Sequence, residues 1–490
     1  DLERFLDDQE PLTPRSTRLR RAAAFTAQHW RALLPAAALA VATVVGYGRW
    51  HGSTVRAAAR NTIELLFVGS PIPVQPERIG ELRQAIATVE RADAGAPAES
   101  FADNAHTTSA DGFACWGLRR RLEVAQAVEE LWLNEGRAAW VSVLGRLRAD
   151  PRFAAFGIEP ERDLVPLGLN PESGLEEFWH PASGERPGLA ADGVFPMEAT
   201  TGLVLVLLPP GEFQRGMSKT EIAASSADSP EHTSGAAWRG RAFDADDDCH
   251  PLLRVRVEPL YISKYEVTQG QWQFWTGSNP SKYRPGDNRY SSHLERWEVF
   301  TETHPLECVD AASAHYTLAL FGLELPSESQ WEYAARGGTR TRWHVGDAPE
   351  EMILGGYANV SDGSQRAFYP SQVQPNAPPF EDGYPFHGPV DAFKPNGFGL
   401  CAIAGNVWEW CRDVYRHDAH AWLLEQARIE PGLVDDRAVT DGPRLASRSV
   451  RGGAWDAGLH TVAPFDRYSQ LQYTPQPNLG LRPVRRARWR

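Results

Sequence analysis

The chain has 490 residues and a formal net charge of −13, without an acidic or basic low-complexity tract. That balance excludes a protein that binds nucleic acid non-specifically through a basic surface. Its 17 tryptophans, 42 glycines and 37 prolines favour a turn-rich, aromatic-rich fold over a helical bundle. The length predicts two or three domains, because a single core stops growing at about 250–300 residues. Since the chain begins with Asp1 rather than Met, we expect a fragment or a processed product.

The N-terminal 50 residues have the pattern of a single membrane span. Residues 32–48 are uncharged and mostly apolar, and their number lies at the short end of the about 17–25 that cross a bilayer. Trp30 and Trp50 suit the two membrane interfaces, and the arginine excess before the span places that side in the cytoplasm. We predict a cytoplasmic tail segment at 1–31 and a transmembrane helix at 32–48. The alternative is a buried core helix.

Residues 49–189 are predicted to form a helical stalk and linker. Apolar residues recur at three- and four-residue spacing in Glu77–Arg91 and Trp116–Arg148, which predicts helices there. The polar, Ala-rich stretch 93–112 is predicted to be a loop. The turn-rich segment 163–187 is predicted to lead into the next domain, whose boundary we place near residue 190.

Residues 190–490 contain a series of motifs around Lys394–Asp413, KPNGFGLCAIAGNVWEWCRD, in which Gly-rich turns alternate with large apolar anchors. The other motifs are Thr201–Ser218, Tyr261–Trp272, Glu324–Gly338 (ELPSESQWEYAARGG), Gly388–Phe393, Ser449–Trp455 (SVRGGAW) and Asn478–Arg482. Their composition and order resemble the formylglycine-generating enzyme, or sulfatase-modifying factor, domain family. The resemblance implies an α+β, irregular, C-type-lectin-like fold for 190–490, preceded by the transmembrane helix and the helical stalk.

The same resemblance implies an oxidase site in which two positions are changed here. The family's oxidases carry two cysteines after an Arg-Gly-Gly motif, where a thiolate pair binds copper(I). Aligned on Arg451, those positions are Ala457 and Val462. The cysteines of this chain are Cys115, Cys249, Cys308, Cys401 and Cys411. We therefore expect neither copper binding nor oxidase activity.

Cysteine pairing and histidine ligation stay open at this point. Cys401 and Cys411 bracket a Gly-Asn turn, and we prefer two buried free thiols there over a disulfide. Related branches of the family hold non-heme iron with two or three histidines. Residues such as His304 and His387 lie singly in the sequence, and we interpret each as a surface or hydrogen-bonded histidine.

Structural calcium is the cofactor that the resemblance implies. The first calcium site corresponds to side-chain oxygens of Asn359 and Asp382 with the carbonyls of Val360 and Tyr384, and we expect it to be filled. The second corresponds to Glu409 with the carbonyls of Gly405 and Val407. Because the family's third side-chain donor there falls on Ala402, we expect a weakened second site.

Three arginines and one serine in the motifs are predicted to be architectural. We expect Arg336, Arg451 and Arg482 to bond carbonyl oxygens of irregular loops, because a fold poor in regular ladders must satisfy its backbone with side chains. Ser327 is predicted to cap a short helix that runs to Arg336.

The segment 456–478 occupies the position of the family's active site and is predicted to bind a ligand. Aromatic rings, amides and an arginine give rigid contact area with adaptable hydrogen bonding. The predicted ligand-binding residues are His460, Phe465, Asp466, Arg467, Tyr468, Gln470, Gln472 and Tyr473. The alternative is a solvated loop with a tyrosine or two in the core.

These observations predict a membrane-anchored sensor or ligand-binding module without oxidase activity. The tail and span resemble those of bacterial membrane-bound serine/threonine kinases, which implies a single-pass inner-membrane protein with an extracytoplasmic C-terminal domain and a kinase upstream of residue 1. The expected partners are the membrane and an unknown extracytoplasmic ligand or protein. The alternatives are a metal-dependent oxidoreductase of the same family and a structural envelope protein.

Overall fold

We describe a computed structural model of the chain over residues 72–92, 107–108, 114–188, 193–218, 249–291, 295–368, 381–426, 433–440 and 446–490. The predicted tail at 1–31 and the predicted span at 32–48 lie outside these residues. Within the described ranges, no helix combines the length and the apolar character that crossing a bilayer requires.

The helices fall into an N-terminal group and a set of shorter helices in the motif-bearing region. They are α1 (Ile79–Ala92), α2 (Leu118–Leu131), α3 (Arg137–Ala149), α4 (Gln269–Thr276), α5 (Ala311–Ala319), α6 (Glu328–Arg336), α7 (Pro349–Leu354), α8 (Gly363–Phe368) and α9 (Ala419–Glu425). Short 3₁₀ turns occur at Pro76–Arg78, Pro181–Ser183 and Leu459–Val462. A π-helical turn, Trp132–Gly136, joins α2 to α3. The two predicted N-terminal helical segments are thus confirmed.

The strands are short and form several small sheets. They are β1 (Thr107–Thr108), β2 (Ala114–Cys115), β3 (Val165–Leu169), β4 (Glu176–Trp179), β5 (Val204–Leu208), β6 (Gly211–Arg215), β7 (Leu253–Val257), β8 (Leu260–Ser263), β9 (Arg289–Ser291), β10 (Arg296–Glu298), β11 (Trp408–Val414), β12 (Leu433–Asp435), β13 (Ser447–Arg451), β14 (Tyr468–Leu471), β15 (Leu479–Gly480) and β16 (Val484–Arg486). The largest sheet has the order β16-β8-β5-β4-β3 and is antiparallel throughout. A second sheet, β14-β13-β11-β15, holds the central motifs, and a third has the order β12-β7-β6.

The N-terminal helices pack on the largest sheet instead of standing apart as a stalk. Trp140 of α3 stacks on Phe178 of β4 with ring centroids 4.9 Å apart, and its indole N–H donates to the Leu164 carbonyl at 2.8 Å. Trp116, just before α2, contacts the rings of Phe274 and Phe321. One continuous apolar core therefore joins α2 and α3 to β4, β5 and β8.

The segment 163–187 is more regular than the sequence predicts. It supplies β3 and β4 to the largest sheet, so that sheet starts before the predicted boundary near residue 190. Two glutamates at the start of β4 explain why the sequence suggests a linker here. Both carboxylates are buried, and each pairs with a cation from a distant part of the sequence. Glu176 pairs with Arg146 at 2.5 Å, and Glu177 pairs with Lys264 at 2.6 Å.

Helix α6 lies at the centre of the motif-bearing region, and every residue of it is buried. Ser327 caps it as predicted, because its hydroxyl oxygen accepts from the Gln330 backbone N–H at 3.1 Å and the Gln330 side chain accepts in return from the Ser327 N–H. Gly337 ends the helix in the left-handed conformation with φ of 56°. The two caps fix α6, from which Glu328 pairs with Arg467 of the strip 456–478 and Glu332 pairs with Arg451.

Candidate functional site

The two positions that correspond to the family's copper cysteines are buried among apolar side chains. Ala457 is fully buried, and Val462 ends the 3₁₀ turn Leu459–Val462 with 2% of its surface exposed. Val462 packs in a cluster with Trp343, Met352, Ile353, Ala358, Val360, Ala404, Leu459 and Ala463, whereas Ala457 belongs to the main apolar core. Gly453 fits against this turn because it has φ of +75°, and a Cβ there would lie only 2.6 Å from Val462 Cγ1. The position that holds soft sulfur ligands in the family's oxidases is thus filled with hydrocarbon.

The described cysteines lie elsewhere and are held as thiols. Cys249, Cys308, Cys401 and Cys411 form no disulfide, so the preference for buried thiols over a Cys401–Cys411 disulfide is confirmed. Burial raises the pKa of Cys249, Cys308 and Cys401 to about 12 and that of Cys411 well above its usual value. Because the thiolate is the form that binds copper(I), none of these side chains replaces the missing pair.

Part of the predicted ligand-binding strip is buried and serves the fold. The Arg467 guanidinium donates to both carboxylate oxygens of Glu328, at 2.6 and 2.8 Å, and its side chain is 1% exposed. Burial opposes ionisation of Glu328, but the cations of Arg467 and Arg215 outweigh it and hold its pKa well below the usual range. Asp466 is buried beside this cluster. The structure therefore places Arg467 and Asp466 in buried positions, with Arg467 bound to α6.

Arg451 ties the same strip to helix α6. Its guanidinium donates to the carbonyls of Pro464 and Asp466, each at 2.8 Å, and to Glu332 at 2.6 Å. Arg336 donates to the Gly216 carbonyl at 2.9 Å. Together with Arg482, described below, these contacts confirm the architectural role predicted for the three arginines.

The remaining residues of the strip divide between partly buried and exposed positions. His460 and Phe465 are half-buried, and Phe465 packs against the cluster around Val462. Gln472 is buried and accepts from Arg448, whereas Gln470 is half-buried and donates to the Thr474 carbonyl.

The exposed part of the strip is its aromatic end. Tyr468 is 41% exposed and Tyr473 49% exposed, and Leu471 between them is 55% exposed. Tyr468 stacks on Trp408 with ring centroids 5.2 Å apart. Strand β14 is the outermost strand of its sheet, paired only with β13 among the described strands. The structure thus offers an aromatic edge, Tyr468–Tyr473, in place of the longer predicted surface.

The residues predicted for the first calcium site converge in two facing loops. Asp382 accepts from the backbone N–H of Val360 at 3.0 Å and from that of Tyr384 at 2.8 Å. The Asn359 amide nitrogen donates to the Phe386 carbonyl at 2.9 Å, while its buried oxygen Oδ1 has no hydrogen-bond partner.

The charge around this loop pair also suits a cation. Burial and the neighbouring Asp362 carboxylate raise the pKa of Asp382 well above its usual range. Burial raises the pKa of Asp362 to about 6. An unpartnered amide oxygen beside two desolvated carboxylates fits a hard cation, so Asn359, Val360, Asp382 and Tyr384 would hold calcium, which would supply positive charge between the loops.

The residues of the second predicted calcium site do not fit an ion. Arg482 donates to Glu409 Oε1, with Nε at 2.9 Å and Nη2 at 2.8 Å, and the Trp331 indole N–H donates to Oε2 at 2.6 Å. Both carboxylate oxygens of Glu409 are therefore engaged. Ala402 supplies no side-chain oxygen, and its carbonyl accepts from Arg482.

The histidines do not assemble a three-residue metal site. Across the described ranges, no group of three or more His, Cys, Asp or Glu side chains has the arrangement of a metal centre. Two histidines, His304 and His387, do contact each other, at 3.0 Å between their Nδ1 atoms. The sequence gives no signal for this pair, because the two lie 83 positions apart in irregular loops.

Comparison with known proteins agrees with the motif order. A family profile described as "Sulfatase-modifying factor enzyme 1-like domain" matches residues 192–487. The formylglycine-generating enzyme of Streptomyces coelicolor is 33% identical over 331 residues, which cover 62% of this chain and 93% of that enzyme.

Two further matches concern a kinase and a solved structure. The serine/threonine-protein kinase pkn1 of Chlamydia caviae is 26% identical over 219 residues, which cover 42% of this chain and 30% of the kinase. Among solved structures, PvdO from Pseudomonas aeruginosa aligns with a TM-score of 0.42 and 24% identity, over 62% of this chain and 99% of PvdO.

The profile match covers more than half of the chain, and the bacterial enzyme is matched over nearly its whole length. The motif-bearing region and its α+β fold agree with both. The chain belongs to the sulfatase-modifying factor, or formylglycine-generating-enzyme-like, domain family.

Proposed function

We propose that this protein is a binding module of the formylglycine-generating-enzyme-like family that does not oxidise cysteine. The observation that carries the proposal is the burial of both positions among apolar side chains, Ala457 in the main core and Val462 in the cluster around Trp343. Copper(I) chemistry of the family's type requires thiolates at that place, and the described thiols all lie elsewhere in protonated form.

The recognition surface of this module is the aromatic edge Tyr468–Tyr473. Its exposed rings provide large contact area at low cost in conformational entropy, and Gln470 adds an adaptable hydrogen-bonding group. Because β14 is an outer strand among those described, the edge that faces away from β13 supports binding of an extended segment of a partner. His460 and Phe465, both half-buried, precede this edge in the chain.

The membrane anchor and the signalling role belong to the same proposal. A span at 32–48 places the family domain outside the cytoplasm, where it meets an extracytoplasmic ligand or protein. Similarity to part of a serine/threonine-protein kinase supports a kinase upstream of residue 1 as the partner in signalling. Protease accessibility of residues 190–490 in intact spheroplasts tests the topology, and protection of the domain would contradict it.

A copper-loading experiment tests the absence of oxidase activity. The full chain is reduced, dialysed, offered copper(I) and assayed for oxygen uptake with a cysteine-containing peptide. The matched variant carries Ala457→Cys and Val462→Cys, which restores the thiol pair. We expect no stoichiometric copper and no turnover in the wild type, and copper binding in the double variant. Stoichiometric copper with peptide oxidation in the wild type would instead establish the alternative, a metal-dependent oxidoreductase.

A second experiment tests the aromatic edge. A peptide and glycan array is probed with the full chain, with a Tyr468→Ser/Tyr473→Ser variant, and with Val141→Ser as a control for loss of an exposed apolar side chain elsewhere. We expect the double variant to lose at least about tenfold in affinity for any captured sequence, as for loss of interface anchors. Equal binding by all three proteins would place recognition elsewhere.

A further inference from the structure

Two buried imidazoles meet at the edge of a cavity whose lining contains none of the residues of the aromatic edge. His304 precedes Pro305, and His387 follows Phe386. Their Nδ1 atoms are 3.0 Å apart, with ring centroids at 5.1 Å. They are 5% and 1% exposed. A contact of this length between two ring nitrogens is a hydrogen bond, so one Nδ1 carries a hydrogen and the other presents a lone pair.

Both rings are held in the neutral form. Burial lowers the pKa of His304 to about 4. Burial, together with the neighbouring His304, lowers the pKa of His387 well below its usual value. Moreover, His387 Nε2 is buried without a hydrogen-bond partner. The pair is therefore a source of nitrogen lone pairs near neutral pH whose polar atoms are incompletely satisfied by the protein.

The cavity beside the pair has a volume of about 150 Å³, and both histidines line it. Glu298, Thr301 and Tyr384 contribute polar groups to its wall, and Phe300 and Phe386 close it with aromatic rings. A water molecule occupies about 30 Å³ in the liquid, so the space admits several waters or a small ligand.

We propose that His304 and His387 bind a zinc-like first-row transition metal ion through their Nδ1 atoms, with water in the adjoining cavity completing the coordination shell. Neutral imidazole is a preferred ligand of such ions. With Zn–N bonds of about 2.0–2.1 Å and a tetrahedral angle, two ligand nitrogens lie about 3.3 Å apart. The two Nδ1 atoms, 3.0 Å apart in the structure, would have to separate by only a few tenths of an ångström to bind the ion.

Binding exchanges one hydrogen bond for two metal–nitrogen bonds and leaves each imidazole with its hydrogen on Nε2. No acceptor is positioned for the Nε2–H of His387. Because an anchoring acceptor is worth roughly 10–100-fold in metal affinity, this site binds more weakly than one whose ligands are fully anchored. It is distinct from the calcium loops, which offer oxygen atoms only, although Tyr384 belongs to both walls.

Zinc titration of the full chain tests the site, with calcium kept constant in every sample. After dialysis against a chelator, binding is measured by calorimetry, and cobalt(II) is used in parallel because its visible absorption reports nitrogen ligation. The variants are His304→Gln and His387→Gln. The matched control is His344→Gln, since His344 is also a buried histidine with an unpartnered Nε2 and a pKa lowered to about 4, but it contacts no second histidine among the described residues.

We expect the wild type and His344→Gln to bind one more zinc ion per chain than His304→Gln or His387→Gln. If the test variants still bind zinc at this site, their affinity should be at least about tenfold lower. Equal zinc binding by all four proteins, or none by the wild type, would overturn the proposal. If a test variant does not fold, X-ray absorption at the zinc edge of the loaded wild type decides. A first shell with two imidazole nitrogens supports the site, and a shell of oxygen alone excludes it.

Discussion

Arg482 and Glu409 form a fully buried ion pair, with 2.8 Å between Nη2 and Oε1, and side-chain exposures of 0% and 1%. The remaining donors of Arg482 reach the carbonyl oxygens of Ser263, Lys264, Cys401 and Ala402. One guanidinium thus joins β8 and β11 to the turn between Leu400 and Ile403. It also occupies the carboxylate that the second calcium site would need.

Removal of this arginine should destabilise the protein strongly. We expect Arg482→Met to lower the free energy of unfolding by about 3–5 kcal/mol, because Glu409 is left as a buried, uncompensated charge. Urea denaturation of the full chain measures the change. The control is Arg254→Met, which breaks an exposed pair with Glu212 and should cost about 0–1 kcal/mol. Similar costs for both variants would contradict the role assigned to Arg482.

Calcium should stabilise the protein through the first site alone. At a calcium concentration 100 times the dissociation constant, we expect the free energy of unfolding to rise by about 2.7 kcal/mol. Asp382→Asn should lose this response, because it removes a charged ligand of that site. Glu409→Gln should keep the response despite its own destabilisation.

Thermal unfolding with calcium or with magnesium at equal concentration makes this comparison, since magnesium is a poor fit for flexible oxygen sites. A calcium response that survives Asp382→Asn and disappears in Glu409→Gln would reverse the assignment of the two sites.

Acid should destabilise the fold through its buried neutral histidines. Burial lowers the pKa of His344 to about 4, whereas an unfolded histidine titrates near about 6.5. Between these values the unfolded chain holds a proton that the folded chain lacks, so stability is full above about pH 6.5 and falls as pH drops toward about 4. One such histidine changes the free energy of unfolding by up to about 1.4 kcal/mol per pH unit in this range.

His344→Gln should therefore show a shallower loss of stability between pH 6.5 and 4 than the wild type. Urea midpoints at several pH values in this range provide the test. Part of the slope should persist in the variant, because burial also lowers the pKa of His180 to about 4. An unchanged slope would show that His344 is not a buried neutral group in solution.

Helices α2 and α3 should unfold together with the motif-bearing region on which they pack. Trp140→Ala removes a buried ring stacked on Phe178 and should cost about 3–5 kcal/mol. Val141→Ala on the neighbouring, 69% exposed position should change stability by less than about 0.5 kcal/mol. Hydrogen exchange of β5 and β8 amides should accelerate in the first variant only. If only helical amides accelerated, the helices would be an independent unit.

The local motifs could be predicted from sequence because their chemistry is local. The cap at Ser327 needs only a hydroxyl and a glutamine three residues apart, and the structure confirms it. The sequence also predicted that the three arginines donate to loop carbonyl oxygens, because Gly-rich loops leave carbonyl oxygens that require donors. The acceptors themselves, such as Pro464 for Arg451, depend on the tertiary fold.

Charged residues caused the wrong predictions, because their partners lie far away in sequence. Arg467 has the composition of an exposed recognition residue, but Glu328, 139 positions earlier, draws it into the core. Likewise Glu176 and Glu177 suggest a solvated linker until Arg146 and Lys264 are placed beside them. A single sequence contains no signal for such pairing, and so the strand β4 and the buried half of the strip were missed.

The position of β16 at the margin of the largest sheet has a consequence for synthesis of the protein. Its partner β8 lies about 220 residues earlier, so the contact is among the least local in the fold and slow to form. While a ribosome is still translating the intervening residues, β8 presents an unpaired backbone edge of the kind that recruits other chains. Chaperone capacity during translation should therefore limit the yield of soluble protein more than the stability of the finished fold does.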